Sequence, residues 1–392
     1  MDSANANPIE LLPDYPVKNR FPEFEPLLRS SRLLALEAPT GSGKTTLLPL
    51  LMHYTGLTDK KILVTQPRRM AAKSTAARMS RLLGSPLGGV VGYRVRGEAK
   101  VSAKTKIEVV TEGYALALLQ ADPFLSDYGW VILDEFHERH IDGDLLLAFL
   151  RDLRRTLEDE APGIVAMTAT WQGQPRESLE EFPSFSMEGR LFPVEKRLLP
   201  GRVPEDLYSR LEDGLRESLL ETDGKILIFL PGRRELEEGR RVVRRMVPEA
   251  EISLLFGGME LSEQQRVLEY SGSRRQIILA TAVAETSLTV EGVGAVVDSG
   301  LERLPVYLPG PGLTRLVTRQ VSRATAEQRA GRAGRLGPGI CYRLWTAGED
   351  RGMVERRDPE IISGELSRAR LQMIGTVIST LNDRNCHFDF MK

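Results

Sequence analysis

Three arginines and a glutamine share the octad QRAGRAGR at residues 328–335. Arg332 and Arg335 are three residues apart, so on a helix they would share one face and present two planar guanidinium groups to a single polyanion. Gly331 and Gly334 would let the backbone approach that ligand closely. A triphosphate fits this description, so the octad predicts a phosphate-binding element.

A second phosphate-binding candidate lies far upstream, in APTGSGKTT at residues 38–46. It follows an apolar run and should open a helix, so that backbone N–H groups wrap phosphates at the helix N-terminus. Lys44 would reach the outer phosphates and the Thr45 hydroxyl would ligate Mg²⁺. Ala38 stands where the strict pattern has glycine. The nucleotide-binding residues predicted here are Thr40, Gly41, Ser42, Gly43, Lys44, Thr45 and Thr46. Two such elements in one chain predict a nucleotide held between two domains.

An acidic pair ends another apolar run, where Asp134 and Glu135 follow WVIL and precede Phe136 and His137. Adjacent carboxylates after a buried strand suit a metal-holding aspartate beside a glutamate that activates water for attack on a γ-phosphate. Taken alone, such a pair is as often a solvated turn. The upstream phosphate loop favours the catalytic interpretation.

The composition of the 392 residues is that of an ordinary globular protein, with 41% hydrophobic and 27% charged residues and a net charge of −1. This net charge gives no sign of a nucleic-acid partner, so any binding of nucleic acid must come from local basic patches. Two cysteines cannot form a disulfide framework or a zinc site. The N-terminus does not resemble a secretory signal, and no apolar run is long enough to span a membrane. We expect a cytoplasmic monomer with no membrane association.

Short, often β-branched apolar runs alternate with helix-compatible segments in two successive series. Buried strands alternating with helices indicate parallel βαβ units, whose functional residues lie at the carboxyl ends of the strands. The predicted fold class is therefore α/β, with two tandem parallel-sheet domains and a short helical C-terminal segment. We place the domains at residues 1–192 and 193–354, followed at 355–392 by the helical start of a truncated or minimal C-terminal region.

Five further motifs lie along the chain beside the phosphate loop, the acidic pair and the octad. They are TQPRR at 65–69, TEG at 111–113, TAT at 168–170, FLPGRRE at 229–235 and ATAVAETSLTVEG at 280–292. In this order the sequence resembles the DEAH/RHA group of superfamily 2 RNA helicases over almost its whole length. The DEFH variant and the APTG start are most similar to the bacterial HrpB-type branch. The resemblance implies two RecA-like domains, ATP or another NTP with Mg²⁺, and NTP-driven 3′ to 5′ movement along single-stranded RNA.

The resemblance also implies roles for individual residues around the nucleotide. Asp134 would contact the metal through water, Glu135 would be the general base, and His137 would link the nucleotide site to motifs across the cleft. Gln328 would orient the attacking water, while Arg332 and Arg335 would neutralise the developing charge, which leaves Arg329 as a structural residue. The remaining implied residues are Arg78 at the base, Glu291 at the ribose, and Thr168 and Thr170 as coupling residues.

Nucleic-acid contacts in the group go mainly to sugar and phosphate, so binding should be nearly indifferent to sequence. Without the resemblance, Arg68 and Arg69 could equally be a solvated helix start. The implied contact residues are Arg68, Arg69, Arg96, Thr111, Gly232, Arg233 and Thr281.

Two departures from the group carry expectations. No adenine-reading glutamine motif precedes the phosphate loop, which predicts loose nucleotide choice. Typical members continue into domains that roof the RNA channel, whereas this sequence stops soon after the second domain. We therefore expect an open groove that a protein partner could complete.

Two other functions stay open on the sequence alone. The motor could act on single-stranded DNA, since the implied contacts do not read the 2′-hydroxyl. The protein could instead be a nucleotide-gated RNA-binding clamp with weak hydrolysis, although a clamp would not need Glu135, Gln328, Arg332 and Arg335 together.

Overall fold

The computed structural model describes residues 8–39, 41–169, 179–187, 192–198, 206–285, 290–308, 310–335 and 337–383. The predicted site residues Thr40 and Thr170 lie outside these ranges. The chain forms two compact units. Unit 1 comprises residues 1–189 together with 359–392, and unit 2 comprises residues 190–358.

Unit 1 contains an eight-stranded sheet in the order β4-β3-β5-β2-β6-β7-β1-β8, parallel except for the β3–β4 pair. Its strands are β1 (Leu33–Glu37), β2 (Lys61–Gln66), β3 (Val91–Val95), β4 (Glu98–Lys100), β5 (Ile107–Thr111), β6 (Tyr128–Leu133), β7 (Gly163–Thr168) and β8 (Ser184–Ser186). Every residue of β6 and β7 is buried, which explains their continuous apolar sequence.

Helices cover both faces of this sheet. They are α1 (Pro16–Ser31), α2 (Lys44–Tyr54), α3 (Arg69–Leu82), α4 (Glu112–Ala121) and α5 (Ile141–Leu157). On one face, α1, α2 and α3 contribute Phe24, Leu48 and Met79 to a buried cluster. On the other, α4 and α5 contribute Leu116 and Leu146. Burial of each such side chain stabilises the fold by about 1.5–3 kcal/mol, so the two clusters fix the sheet edge that carries the predicted site.

Unit 2 contains a six-stranded parallel sheet in the order β11-β12-β10-β13-β16-β9. A separate antiparallel hairpin is formed by β14 and β15. The strands are β9 (Val194–Leu198), β10 (Lys225–Phe229), β11 (Glu251–Leu255), β12 (Gln276–Ala280), β13 (Val293–Asp298), β14 (Leu301–Leu308), β15 (Leu313–Gln320) and β16 (Gly339–Arg343). The helices are α6 (Leu207–Glu221), α7 (Arg233–Met246), α8 (Leu261–Leu268), α9 (Arg323–Ala330) and α10 (Ala347–Arg351).

The C-terminal segment forms α11 (Glu360–Ser363) and α12 (Ser367–Asp383), which pack on α4 and α5 of unit 1. The backbone N–H of Ile141 donates to Glu360 Oε2 at 3.1 Å, and the Glu360 N–H donates to the Arg139 carbonyl at 3.0 Å. Ala369 adds its side chain to the α4–α5 core cluster. The segment thus belongs with unit 1, although it follows unit 2 in the chain.

The predicted fold class is confirmed, because the apolar runs of both series form parallel strands. The hairpins β3–β4 and β14–β15 were not predicted, because β4, β14 and β15 are largely exposed or partly exposed and lack long apolar runs. Among the described residues, no helix has both the length and the apolar character to cross a membrane.

Candidate nucleotide and nucleic-acid sites

The predicted residues of unit 1 follow the carboxyl ends of its parallel strands. The phosphate loop follows β1, Asp134 follows β6 and Thr168 ends β7, while Arg68 follows β2 and Thr111 ends β5. Because the strand order is β5-β2-β6-β7-β1, the residues predicted to bind nucleotide occupy one half of this edge and those predicted to bind nucleic acid the other. The carboxyl edge of a parallel sheet is where ligands bind in such folds.

The phosphate loop depends on two glycines in the left-handed region. Gly41 has a φ of 88° and Gly43 a φ of 87°. A Cβ atom on Gly43 would lie 2.9 Å from the Tyr15 Cβ, so this position also lacks space for a side chain. The Val17 N–H donates to the Ser42 carbonyl at 3.0 Å and ties the loop to the start of α1. The loop then runs directly into α2, as predicted.

Alanine at the first loop position is accommodated without strain. The Ala38 methyl is fully buried, and the Ala38 N–H donates to the Thr168 carbonyl at 3.0 Å. Its φ is not in the left-handed region, so this position does not require glycine. The bond also joins the phosphate loop to the predicted coupling residue at the end of β7.

Lys44, Asp134 and Glu135 form a buried group at the centre of this edge. The Lys44 side chain is 4% exposed, and its Nζ lies 3.9 Å from Glu135 Oε1. The Gln66 amide donates to Asp134 Oδ2 at 2.6 Å, and the Glu135 N–H donates to Asp134 Oδ1 at 3.0 Å. Burial and the adjacent Glu135 charge raise the pKa of Asp134, against the opposing effects of Lys44, Thr45 and Gln66. A cation beside Asp134 would offset that cost.

The backbone of Glu135 is unusual, with a φ of 52° in the left-handed region that only glycine adopts freely. Strain of this kind persists where the surroundings hold it and often marks functional sites. Glu135 Oε2 is buried and has no hydrogen-bond partner among the described residues, and His137 Nδ1 lies 3.5 Å from it. The carboxylate is therefore held in place with one oxygen still able to accept a proton.

These residues fit a hydrated Mg²⁺ ion. Thr45 forms a side-chain hydrogen bond with the buried Asp134, so a hydroxyl and a carboxylate of the kind Mg²⁺ prefers lie together. The Ser42 hydroxyl of the same loop is buried and has no hydrogen-bond partner among the described residues, so it can still bond to a ligand.

The two residues predicted at base and ribose lie on different units. Arg78 of α3 donates through Nη2 to the Tyr15 hydroxyl at 2.9 Å in unit 1. Glu291 precedes β13 in unit 2 and is exposed. Each remains a prediction as a nucleotide contact.

The residues of unit 1 that are predicted to bind nucleic acid differ in their exposure and in their contacts with other side chains. Arg69 and Arg96 are exposed, and Arg69 Nη2 donates to the Arg96 carbonyl at 2.8 Å. Thr111 is partly exposed at the N-terminus of α4, and its side chain makes no capping bond there. Arg68 is instead paired through Nη2 with Glu138 Oε2 at 3.2 Å.

Arg68 belongs to a four-residue group, the Glu138 cluster, which consists of Arg68, Glu138, His140 and Glu112. His140 Nε2 lies 3.4 Å from Glu138 Oε2, and His140 Nδ1 lies 3.4 Å from Glu112 Oε2. Burial disfavours the charged form of His140, but the hydrogen bond to Glu112 and the charges of Glu138 and Glu112 outweigh burial and the Arg68 charge, and raise its pKa to about 9. Sequence reasoning found no role for Glu138, His140 or Glu112.

The octad of unit 2 does not form one helix, so the prediction that Arg332 and Arg335 share a helical face is wrong. Helix α9 ends at Ala330, and residues 331–334 form turns in which the Arg332 N–H donates to the Arg329 carbonyl at 3.1 Å. A Cβ atom on Gly334 would lie 2.5 Å from the Phe192 carbonyl oxygen. This close backbone packing favours turns in place of a continued helix. Gln328 remains on α9 and is partly buried.

Arg329 is a structural residue, as predicted. It is 1% exposed, and its guanidinium donates to Glu285 Oε1 at 2.5 Å and to Asp298 Oδ1 at 2.8 Å. It also stacks over the Phe229 ring at 4.9 Å. Arg332 is buried as well and donates to the Glu285 carbonyl. Glu285 thus holds both arginines, a role that no sequence signal indicated.

The predicted nucleic-acid residues of unit 2 also follow strand ends. Gly232 lies after β10 at the N-terminus of α7, where a Cβ atom would come within 2.7 Å of Arg303 Nη1. Arg233 is exposed, with its guanidinium 4.9 Å from the Phe256 ring centre. Thr281 follows β12, and its N–H donates to the Leu255 carbonyl at 3.0 Å.

Comparison with protein families gives matches to both units. Residues 23–179 match the DEAD/DEAH box helicase family, and residues 207–337 match the helicase conserved C-terminal domain. Together the two matches include the phosphate loop, the acidic pair and the octad.

Comparison with individual proteins gives similar results. The chain is 39% identical over 362 residues to the ATP-dependent RNA helicase HrpB of Escherichia coli, covering 92% of this chain and 45% of that protein. It is 36% identical to an HrpA homolog of Haemophilus influenzae, covering 95% of this chain and 29% of that protein. A crystal structure of the Escherichia coli DEAH/RHA helicase HrpB matches with a TM-score of 0.87 at 38% identity, covering 92% of this chain and 46% of that one. The chain thus spans less than half the length of these relatives.

Proposed function

Because this chain belongs to the DEAH/RHA group of superfamily 2 helicases and has two tandem RecA-like domains of the HrpB type, we propose that it hydrolyses nucleoside triphosphates to move along single-stranded RNA. The observation that carries the proposal is the buried group of Lys44, Asp134 and Glu135 beside the phosphate loop. Burial of three charged side chains is costly unless a ligand uses them.

In this proposal, unit 1 binds the triphosphate and supplies the general base. The phosphate loop donates backbone N–H groups to the phosphates and Lys44 donates to their outer oxygens, while Thr45 and Asp134 hold Mg²⁺. When bound, Mg²⁺ neutralises charge on the β- and γ-phosphates.

Water then attacks the γ-phosphorus and gives a proton to Glu135, whose Oε2 has no other hydrogen-bond partner among the described residues. The bond from the γ-phosphorus to the bridging oxygen breaks, and the products are a nucleoside diphosphate and inorganic phosphate. His137, whose Nδ1 lies 3.5 Å from Glu135 Oε2, links the proposed base to the other motifs of the site.

Unit 2 supplies the residues that orient water and stabilise charge in the proposal. Gln328 orients the attacking water, and Arg332 and Arg335 act on the developing negative charge of the phosphates. The contact of Arg332 with the Glu285 carbonyl supports this role, because it holds the guanidinium in one orientation. Glu291 would contact the ribose, and Arg78 the base.

Single-stranded RNA is the proposed track, with 3′ to 5′ movement. The exposed Arg69, Arg96 and Arg233 contact phosphates, while Thr111 at the end of β5 in unit 1 and Thr281 after β12 in unit 2 contact the backbone. Thr168 transmits the nucleotide state, since its carbonyl accepts the Ala38 N–H of the phosphate loop. The relatives named above carry the description of ATP-dependent RNA helicases. We further propose a cytoplasmic monomer that a protein partner contacts at its RNA-binding surface.

The test is NTP turnover by the chain with poly(U) RNA, with oligo(dT) and with neither. Stimulation by RNA alone supports the proposed track. Equal stimulation by DNA favours a single-stranded DNA translocase, since phosphate contacts do not read the 2′-hydroxyl. Tight nucleotide and RNA binding without turnover would replace the motor by a nucleotide-gated clamp.

A further inference from the structure

A single carboxylate in unit 1 contacts both a predicted track residue and a second buried group. Glu138 Oε2 lies 3.2 Å from Arg68 Nη2 and 3.4 Å from His140 Nε2. The Glu138 side chain is 13% exposed and that of Arg68 is 27% exposed, so the pair is only partly screened by water. Any change in the position of Arg68 therefore acts on Glu138.

Glu138 is also joined mechanically to the proposed general base. It ends the short 3₁₀ helix at Phe136–Glu138, which follows Glu135 directly, and its N–H donates to the Glu135 carbonyl at 2.9 Å. The backbone of Glu135 already has the strained φ of 52°. A residue in this region keeps its geometry only if its surroundings hold it, so a shift of Glu138 is transmitted to Glu135.

The other end of the Glu138 cluster lies next to Thr111, a second residue predicted to contact nucleic acid. His140 Nδ1 lies 3.4 Å from Glu112 Oε2, and Glu112 directly follows Thr111 at the start of α4. The packing there is tight, because a Cβ atom on Gly143 would lie 2.8 Å from Glu112 Oε1. The cluster is therefore a continuous path between the ends of β2 and β5 and the loop after β6.

A bound nucleic-acid strand would compete with Glu138 for the Arg68 guanidinium. A phosphate accepts a strong, often bidentate hydrogen-bonded pair from an arginine, so it would draw the Arg68 guanidinium away from Glu138. Glu138 would then lose its Arg68 partner and keep its contact with His140. We propose that Glu138 and His140 are positioning residues that couple strand binding at Arg68 and Thr111 to the position of Glu135. The inference rests on the proposed function, and it identifies how the track would regulate hydrolysis.

The experiment uses the whole chain with Glu138→Gln and His140→Gln, each of which removes a charge at nearly constant size. Glu181→Gln is the matched control, because Glu181 pairs with Arg151 at 2.5 Å at an exposed position of unit 1 outside the cluster. ATP turnover is measured without RNA and with saturating poly(U). We expect the ratio of the two rates to fall about fivefold or more in both cluster variants, within the usual range of coupling between sites. RNA-free turnover and the stimulation ratio of Glu181→Gln should match the unmodified chain.

A binding measurement separates coupling from a merely structural role. Linkage requires that a nucleotide which alters RNA affinity does so by the same factor as RNA alters nucleotide affinity. Fluorescent poly(U) is titrated with and without a non-hydrolysable ATP analogue. The change in Kd seen for the unmodified chain should shrink in Glu138→Gln and His140→Gln and persist in Glu181→Gln.

Two results would overturn the inference: a stimulation ratio unchanged in both cluster variants, including the case in which both rates fall by one common factor, or a nucleotide-dependent change in RNA Kd that persists in both. Failure of the proposed function looks different, since the unmodified chain would then show no turnover or no stimulation by RNA. That result would overturn the coupling together with the motor. Thermal unfolding of each variant identifies any that has lost its fold, and the other cluster variant then decides.

Discussion

Arg329 and Glu285 form a buried ion pair in unit 2, with Arg329 Nη2 2.5 Å from Glu285 Oε1. The Arg329 side chain is 1% exposed and that of Glu285 is 5% exposed. The same glutamate accepts a hydrogen bond from Arg332 through its carbonyl. One residue, Glu285, therefore links the stability of unit 2 to the arginine with the proposed role at the phosphates.

Replacement of Arg329 by methionine should destabilise unit 2. Removal of one partner of a buried pair leaves an uncompensated charge on Glu285 and Asp298, which costs about 3–5 kcal/mol. Denaturant unfolding measures the loss. Arg241→Met is the control, since Arg241 pairs with Glu238 on the exposed face of α7 and should have little effect. Equal losses in the two variants would contradict the assignment.

Substitution of the two loop glycines by alanine should have unequal effects. Both have left-handed φ values, so each alanine costs roughly 1–2 kcal/mol of backbone strain. At Gly43 the new methyl would also collide with the Tyr15 Cβ at 2.9 Å, whereas a Cβ atom on Gly41 would meet no other described residue within 4 Å. Gly43→Ala should therefore lose more stability and more affinity for a fluorescent nucleotide. An equal or larger loss in Gly41→Ala would show that the collision is relieved.

The stability of unit 1 should depend on pH through His140. Its pKa is raised from 6.5 to about 9 in the folded protein by Glu112 and Glu138, against burial and Arg68. A raised folded pKa gives stabilisation that is fully present below about 6.5 and is lost as pH rises through about 9. The difference in unfolding free energy between the unmodified chain and His140→Gln should therefore shrink across that window. A constant difference would mean that His140 is not charged in the fold.

Nucleotide choice should be loose. No adenine-reading glutamine motif precedes the phosphate loop, and Arg78 is bonded to the Tyr15 hydroxyl. Rates of hydrolysis for ATP, GTP, CTP and UTP, each measured with poly(U), should be similar. A strong preference for ATP would require base contacts that the described residues do not reveal.

The residues that sequence analysis placed well are those set by local spacing. Lys44 directly follows the phosphate loop, and Asp134 directly follows the apolar strand β6. Both the loop and the strand can be identified from the local sequence, and the carboxyl edge of the sheet brings the two residues together. The Glu138 cluster was missed because Arg68 and Glu138 are 70 residues apart and meet only through the pairing of β2 with β6.

The same reasoning explains the errors in unit 2. Glu285 is 44 residues from Arg329, and nothing near either residue indicates the other. The helical prediction for the octad failed because Gly334 packs on the Phe192 backbone, a contact that is even more remote in sequence. The spacing of the arginines would place them on one face of an isolated helix, but tertiary packing determines the conformation of the octad in the protein.

The most direct measurement of the central claim is ATP turnover with poly(U), compared between the unmodified chain and Glu135→Gln. The account predicts RNA-stimulated turnover by the unmodified chain. It also predicts that Glu135→Gln still binds nucleotide but loses turnover by about 100-fold or more, because the general base is gone. Near-normal turnover in Glu135→Gln, or none in the unmodified chain, would contradict it.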